Sequence, residues 1–163
     1  MTTQDRQDLL LGPYRALDLT EGGYLFCGKI LADLGADVIK IERPGGSRSR
    51  DIGPFYKDIP HREKSLFWFA YNSNKRGITL NLDSVEGKEV FKQLVRSADF
   101  VLESFTPGYL ARLGLGYDQL KAINPRVIMV SMTAFGQTGP KATYKSTELT
   151  MWASGGIHYI TGE

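Results

Sequence analysis

Cysteine occurs once in these 163 residues and histidine twice. A lone Cys27 excludes an internal disulfide and fits a reducing compartment, so a cytoplasmic location is expected. The thiol itself reads as a small buried side chain in an apolar helix, and no metal site is expected. Long apolar runs are missing as well: the apolar stretches are strand-sized and interrupted by charge, so no membrane span is expected. Residues 1–11 (MTTQDRQDLLL) have no apolar core of the kind a cleaved signal needs and read as a flexible leader. A strong charge of one sign is also lacking. The formal net charge is only +2, which argues against general nucleic-acid binding.

With 42% hydrophobic and 23% charged residues, the composition is that of a globular protein, and the length suits one domain, placed at residues 12–163. The charge that is present is unevenly spread. Arg43, Arg48, Arg50, Lys57, Arg62, Lys64, Lys75 and Arg76 fall in one segment against only Asp51, Asp58 and Glu63. A basic segment inside a balanced chain suits a small polyanionic ligand better than a polymer.

The apolar pattern alternates strand and helix. Residues 15–19 (RALDL) read as a strand, and a Gly22-Gly23 turn leads to a helix over 24–34 with Leu25, Cys27, Ile30, Leu31 and Leu34 at helical spacing. Gly35 closes it and residues 38–41 (VIKI) form the next strand. Residues 43–63, rich in Gly and Pro, read as a long surface loop, and 66–71 (LFWFAY) as a brief aromatic helix or turn. A strand is expected at 78–82. A helix follows it, opened by an Asp83/Glu86 capping box, with Val90, Phe91, Leu94, Val95 and Ala98 on one face. Further strands are expected at 100–102 and 127–132, short helices at 110–113 and 118–123, and a last helix near 148–153. The whole predicts an α/β fold, a doubly wound and mainly parallel Rossmann-like sheet with a long basic loop. Ligands of such sheets settle at the carboxyl ends of the strands.

A dinucleotide reading is the first rival. Glu42 ends a strand twenty residues after Gly22, where a ribose-binding acid belongs, but Glu21-Gly22-Gly23-Tyr24-Leu25-Phe26 supplies no G-x-G-x-x-G in any register. Without those glycines the backbone cannot approach a pyrophosphate in the usual way.

Three segments carry a more specific likeness: GADVIKIERPGG (35–46), the run from NSNKRG to FGQTGP (72–140), and GGIHYITGE (155–163). In order and spacing they resemble the class III coenzyme A transferases of the CaiB/BaiF type. The resemblance implies an acyl-CoA and a carboxylic acid acceptor as substrates, with no tightly bound cofactor. It also implies a homodimer, or a second chain supplying further sequence. By resemblance, Arg43 meets the nucleotide phosphates, with Asn74 and Lys75 lining the same site. Ser104, Phe105 and Thr106 flank the adenine or pantetheine with Arg112 beside them, and Lys145 is a basic position near the ligand. Arg48, Arg50 and Arg62 read as solvated.

The resemblance further implies an enzyme whose nucleophilic Asp, which forms an acyl anhydride and then an enzyme-bound CoA thioester, lies past Glu163, so no catalytic residue is assigned within 1–163 and this stretch alone is expected to be inactive. Two departures stand out. The family's Ala-Gly-Pro after the first strand is replaced by Glu21-Gly22-Gly23-Tyr24, and the acid before the last helix is Glu148. Two alternatives remain at this point: a non-catalytic CoA- or nucleotide-binding module, and a relative of the α-methylacyl-CoA racemases. The latter is disfavoured because Thr147 stands where their acid/base His aligns.

Overall fold

The computed structural model describes residues 9–162; most of the expected leader, and Glu163, lie outside the described residues. Five strands form one sheet: β1 (Arg15–Leu19), β2 (Asp37–Glu42), β3 (Arg76–Thr79), β4 (Phe100–Glu103) and β5 (Ile128–Ser131). The order is β3-β2-β1-β4-β5 and every pairing is parallel. Each crossover runs through helix or loop: α1 (Leu25–Asp33) between β1 and β2, α2 (Leu66–Asn72) before β3, α3 (Val85–Val95) before β4, and α4 (Tyr109–Arg112) with α5 (Tyr117–Ile123) before β5. Two short helices, α6 (Glu148–Ser154) and α7 (Ile157–Thr161), follow the sheet.

The two faces of the sheet differ because side chains alternate along each strand. Leu17 and Leu19 of β1, with Ile39 and Ile41 of β2 and Val101 of β4, point to one side and pack with Phe91 and Val95 of α3 and Leu120 of α5. On the opposite face Ala16 and Val38 pack with Ala32 of α1 and with Ala36. Asp18 and Lys40 share this second face, directly opposite each other in the β1–β2 register. Room for them comes from Gly28, where a Cβ would lie 2.3 Å from Asp18 Oδ2.

That buried carboxylate explains the first correction to the sequence reading. The buried side of α1 is Leu25, Gly28 and Ala32, while Ile30 and Leu34 are exposed and Cys27 is only partly buried. Beside Leu25, the small Gly28 and Ala32 let the helix approach the polar patch of the sheet. Burial first, and the nearby Asp18 charge second, push the Cys27 thiol up.

Other boundaries also move. β3 starts two residues earlier than expected, where Arg76 of its first pairing position reaches Asp37 through Nη2 at 2.6 Å. The N-cap of α3 is Ser84, whose hydroxyl accepts from Gly87 N–H, so the expected Asp83/Glu86 box is not formed. The 43–63 loop contains three short 3-10 turns and is internally tied. Arg50, read as solvated, donates to both oxygens of Glu42 at 2.7 and 2.8 Å and stacks 4.1 Å above the Trp68 ring. Burial raises the Glu42 carboxyl, but the Arg50 hydrogen bonds and the Ser47 N–H more than reverse this. Glu42 is thus held by Arg50 rather than left free for a ribose. Arg62 is likewise engaged, donating to the Gly45 and Ser47 carbonyls.

Candidate functional site

At the carboxyl ends of the strands two adjoining clefts open, with cavity volumes of about 490 and 450 Å³. The wall between them is 104–106, the loop leaving β4, and all three residues line both clefts. Ser104 Oγ accepts the Glu21 N–H at 2.9 Å, which fastens the β1 loop to the β4 loop and leaves the hydroxyl proton free to donate.

The larger cleft lies between this wall and the loops after β5. Arg112 reaches it from α4, and Thr133, Tyr144 and Lys145 line its far side. Arg112 and Lys145 are exposed, and neither forms an ion pair with a carboxylate among the described residues. None of the residues lining this cleft is acidic. Two uncompensated cations in a concave, acid-free site are suited to phosphate oxygens.

The smaller cleft lies on the β2 side of the wall. Phe105 and Tyr109 stand with ring centroids 4.7 Å apart, and Tyr109 Oη donates to Asp83 Oδ1 at 3.1 Å. Burial, with Asp83 adding to it, pushes the Tyr109 hydroxyl up, so it remains a donor at neutral pH. Arg43 sits at the rim, its Nε 3.2 Å from the Gly46 carbonyl. Glu21, Glu42 and Asp83 also line this cleft. Glu42 is neutralised by Arg50, and Glu21 accepts the Ser47 and Ser49 hydroxyls. The result is an aromatic slot with polar acceptors at its edge and the Arg43 guanidinium, which meets no carboxylate among the described residues, at its rim.

Six of the eight residues singled out from the sequence therefore converge: Arg43, Ser104, Phe105, Thr106, Arg112 and Lys145. Asn74 and Lys75 do not line either cleft. Asn74 has a left-handed backbone (φ 65°) and its side chain donates to Asp33 at 2.9 Å. Lys75 turns beneath the sheet, where Nζ donates to Asp18 Oδ2 at 2.8 Å, the Leu25 carbonyl at 2.9 Å and Asn72 Oδ1 at 3.1 Å. All three protons of its ammonium are used.

Tyr109 and Thr133 were not anticipated. Tyr109 follows Pro107-Gly108 and lies three residues before Arg112, a helical spacing that places both on one face. Thr133 carries a buried hydroxyl that finds no partner in the described structure. Thr147 caps α6 by accepting the Thr150 N–H. No helix among the described residues is long and apolar enough to cross a membrane.

Comparison with known proteins agrees with this architecture. The sequence model of CoA-transferase family III matches residues 14–163. The succinyl-CoA:(R)-benzylsuccinate CoA-transferase subunit BbsE of Thauera aromatica is 40% identical over 149 residues, covering 91% of this chain and 36% of the relative. The succinyl-CoA–L-malate CoA-transferase beta subunit of Chloroflexus aurantiacus is 43% identical over 138 residues, 84% of this chain and 33% of that protein. Among solved structures, a CaiB/BaiF family protein from Brucella suis superposes with a TM-score of 0.81 at 38% identity, covering 92% of this chain and 40% of its own. The chain thus spans well under half the length of these relatives.

Proposed function

The chain belongs to CoA-transferase family III, and from that premise we propose that residues 12–163 bind the coenzyme A moiety of an acyl-CoA within an enzyme that passes CoA to a carboxylic acid. The observation that carries this reading is the paired cleft: an acid-free cavity with Arg112 and Lys145, joined across Phe105 to an aromatic slot with Arg43 at its rim. Coenzyme A has the matching parts. Its adenine ring suits the Phe105–Tyr109 wall, where stacking is favourable. Its ribose phosphate suits Arg43 and its diphosphate suits Arg112 and Lys145, because guanidinium and ammonium groups meet phosphate oxygens with charge-assisted hydrogen bonds. Ser104 keeps one donor for a ribose or pantetheine oxygen.

In this proposal the chemistry is carried by an Asp carboxylate outside residues 1–163. It attacks the thioester carbon, expelling the CoA thiolate and forming a mixed anhydride. The thiolate then attacks the enzyme's own carbonyl, giving an enzyme-bound CoA thioester and releasing the first acid. Residues 12–163 bind and orient the CoA, as a homodimer or beside a second chain, in the cytoplasm.

Titration calorimetry at low salt with CoA, dephospho-CoA and NAD tests the binding part. CoA is expected to bind more tightly than dephospho-CoA, and both more tightly than NAD. Rising salt is expected to weaken CoA, since exposed phosphate contacts are screened. NAD binding as tight as CoA would overturn the proposal.

A further inference from the structure

The cleft walls are loops, and loops must be held if a ligand is to meet fixed partners. Glu103, the last residue of β4, is 2% exposed, and its carboxylate has no ion-pair partner among the described residues. It is satisfied by neutral donors instead. Oε2 accepts the Phe105 N–H at 2.7 Å, and Oε1 accepts Gln137 Nε2 at 3.1 Å. Gln137 then accepts the Gly108 N–H through Oε1 at 3.2 Å. The Glu103 carbonyl also accepts the Met132 N–H at 2.9 Å. One residue therefore touches both sides of the larger cleft: the 104–108 loop that presents Phe105 and opens α4, and the loop after β5 that contains Gln137.

A buried carboxylate without a cation is costly unless its hydrogen bonds are complete. Removing its one long-range donor leaves an oxygen unsatisfied and frees the Gly108 N–H. Gly108 has φ 77° and is the N-cap of α4, the helix that carries Arg112. Because Gln137 is itself exposed, its link to Glu103 is not needed to fill the core. We infer that Glu103 and Gln137 form a strut that fixes the separation of the two loops, making Gln137 a positioning residue for CoA. The inference rests on the proposed CoA site.

The test compares Gln137→Ala and Gln137→Glu with the unaltered 163-residue chain, using CoA as the probe. At pH 7 both variants are expected to bind CoA about tenfold more weakly, the scale on which supporting hydrogen bonds act behind direct ligands. Amide hydrogen exchange at 105, 106 and 108 is expected to quicken, with a modest fall in the melting transition from the unpaired Glu103 oxygen. Gln137→Glu carries a further signature. Two facing carboxylates repel each other when both are ionised, and protonating one lets it donate to the other, so acidification rebuilds the link. Its affinity relative to wild type should then recover, whereas that of Gln137→Ala should not. A purely structural role predicts no such recovery. Unchanged exchange, or affinities within twofold of wild type at pH 7, would overturn the strut alone. An unaltered chain that binds no CoA would overturn the functional reading, with the exchange data still judging whether Gln137 holds the loop.

Discussion

Lys75 Nζ lies 2.8 Å from Asp18 Oδ2, and the two side chains expose 1% and 0% of their surface. Asp18 also meets Lys40, whose Nζ is 3.5 Å from Oδ1, and accepts the Thr20 N–H and hydroxyl. One buried carboxylate thus serves two buried ammonium groups. Burial raises the Asp18 carboxyl, but Lys40 and Lys75 together outweigh it and hold it below the usual carboxylate range. Burial lowers Lys75, and the Asp18 charge only partly restores it.

Asp18→Asn should therefore cost about 3–5 kcal/mol, because it strands two cations in the interior. Lys75→Ala should cost less, since Asp18 keeps Lys40 and Thr20. Urea unfolding of both variants measures the order. The reverse order, or an Asp18→Asn loss below about 1 kcal/mol, would contradict this account.

Gly28→Ala tests the same site from the helix side. In an exposed helix interior the change would stabilise by about 1 kcal/mol. Here the new methyl would meet Asp18 Oδ2 at 2.3 Å and Cγ at 2.9 Å, and that carboxylate is held by its partners. Overpacking of this kind costs about 1–3 kcal/mol. A net loss of stability is expected in thermal unfolding, and a gain would show that the carboxylate moves freely.

Acid should unfold the chain through its paired carboxylates. The folded-state values of Asp18, Asp37 and Glu42 are all depressed: burial opposes this in each, and the Lys and Arg partners overcome it. A depressed carboxylate contributes stability that is complete above its unfolded value, near 4. That stability is lost as the pH falls through the native value. Urea midpoints should be level from neutral pH down to about 5 and fall below 4. Asp18→Asn should flatten the acid limb.

Much of this was legible in the sequence. The β1–α1–β2 unit stood out because its strands are apolar runs closed by glycine turns, whereas 104–106 with Arg112 stood out only through the family resemblance. The inward turn of Lys75 did not, because the resemblance set this basic loop residue beside the nucleotide phosphates. Only the β1–β2 register, which sets Asp18 opposite Lys40 beneath Gly28, reveals the buried anion that draws it in. Arg50 was hidden for a similar reason: its partners Glu42 and Trp68 lie on separate elements.

Arg112→Ala and Lys145→Ala should each weaken CoA binding about tenfold, equivalent to 1.4 kcal/mol, without changing the unfolding midpoint. Both residues are exposed and unpaired with acids, so the fold does not depend on them. The salt dependence of binding should become shallower in each variant. Calorimetry in two salt concentrations measures both effects, and wild-type affinity in the pair would remove the larger cleft from the site.

The central claim is that CoA lies across the 104–106 wall and not beside Lys75. The most direct measurement is a ¹⁵N–¹H correlation spectrum of the chain titrated with CoA. The account predicts shifts grouped at Arg43, at 104–109 and Arg112, and at 133–134 and 142–146, with the amides of Asn74 and Lys75 unmoved. Shifts centred on Asn74 and Lys75, with those loops silent, would contradict it.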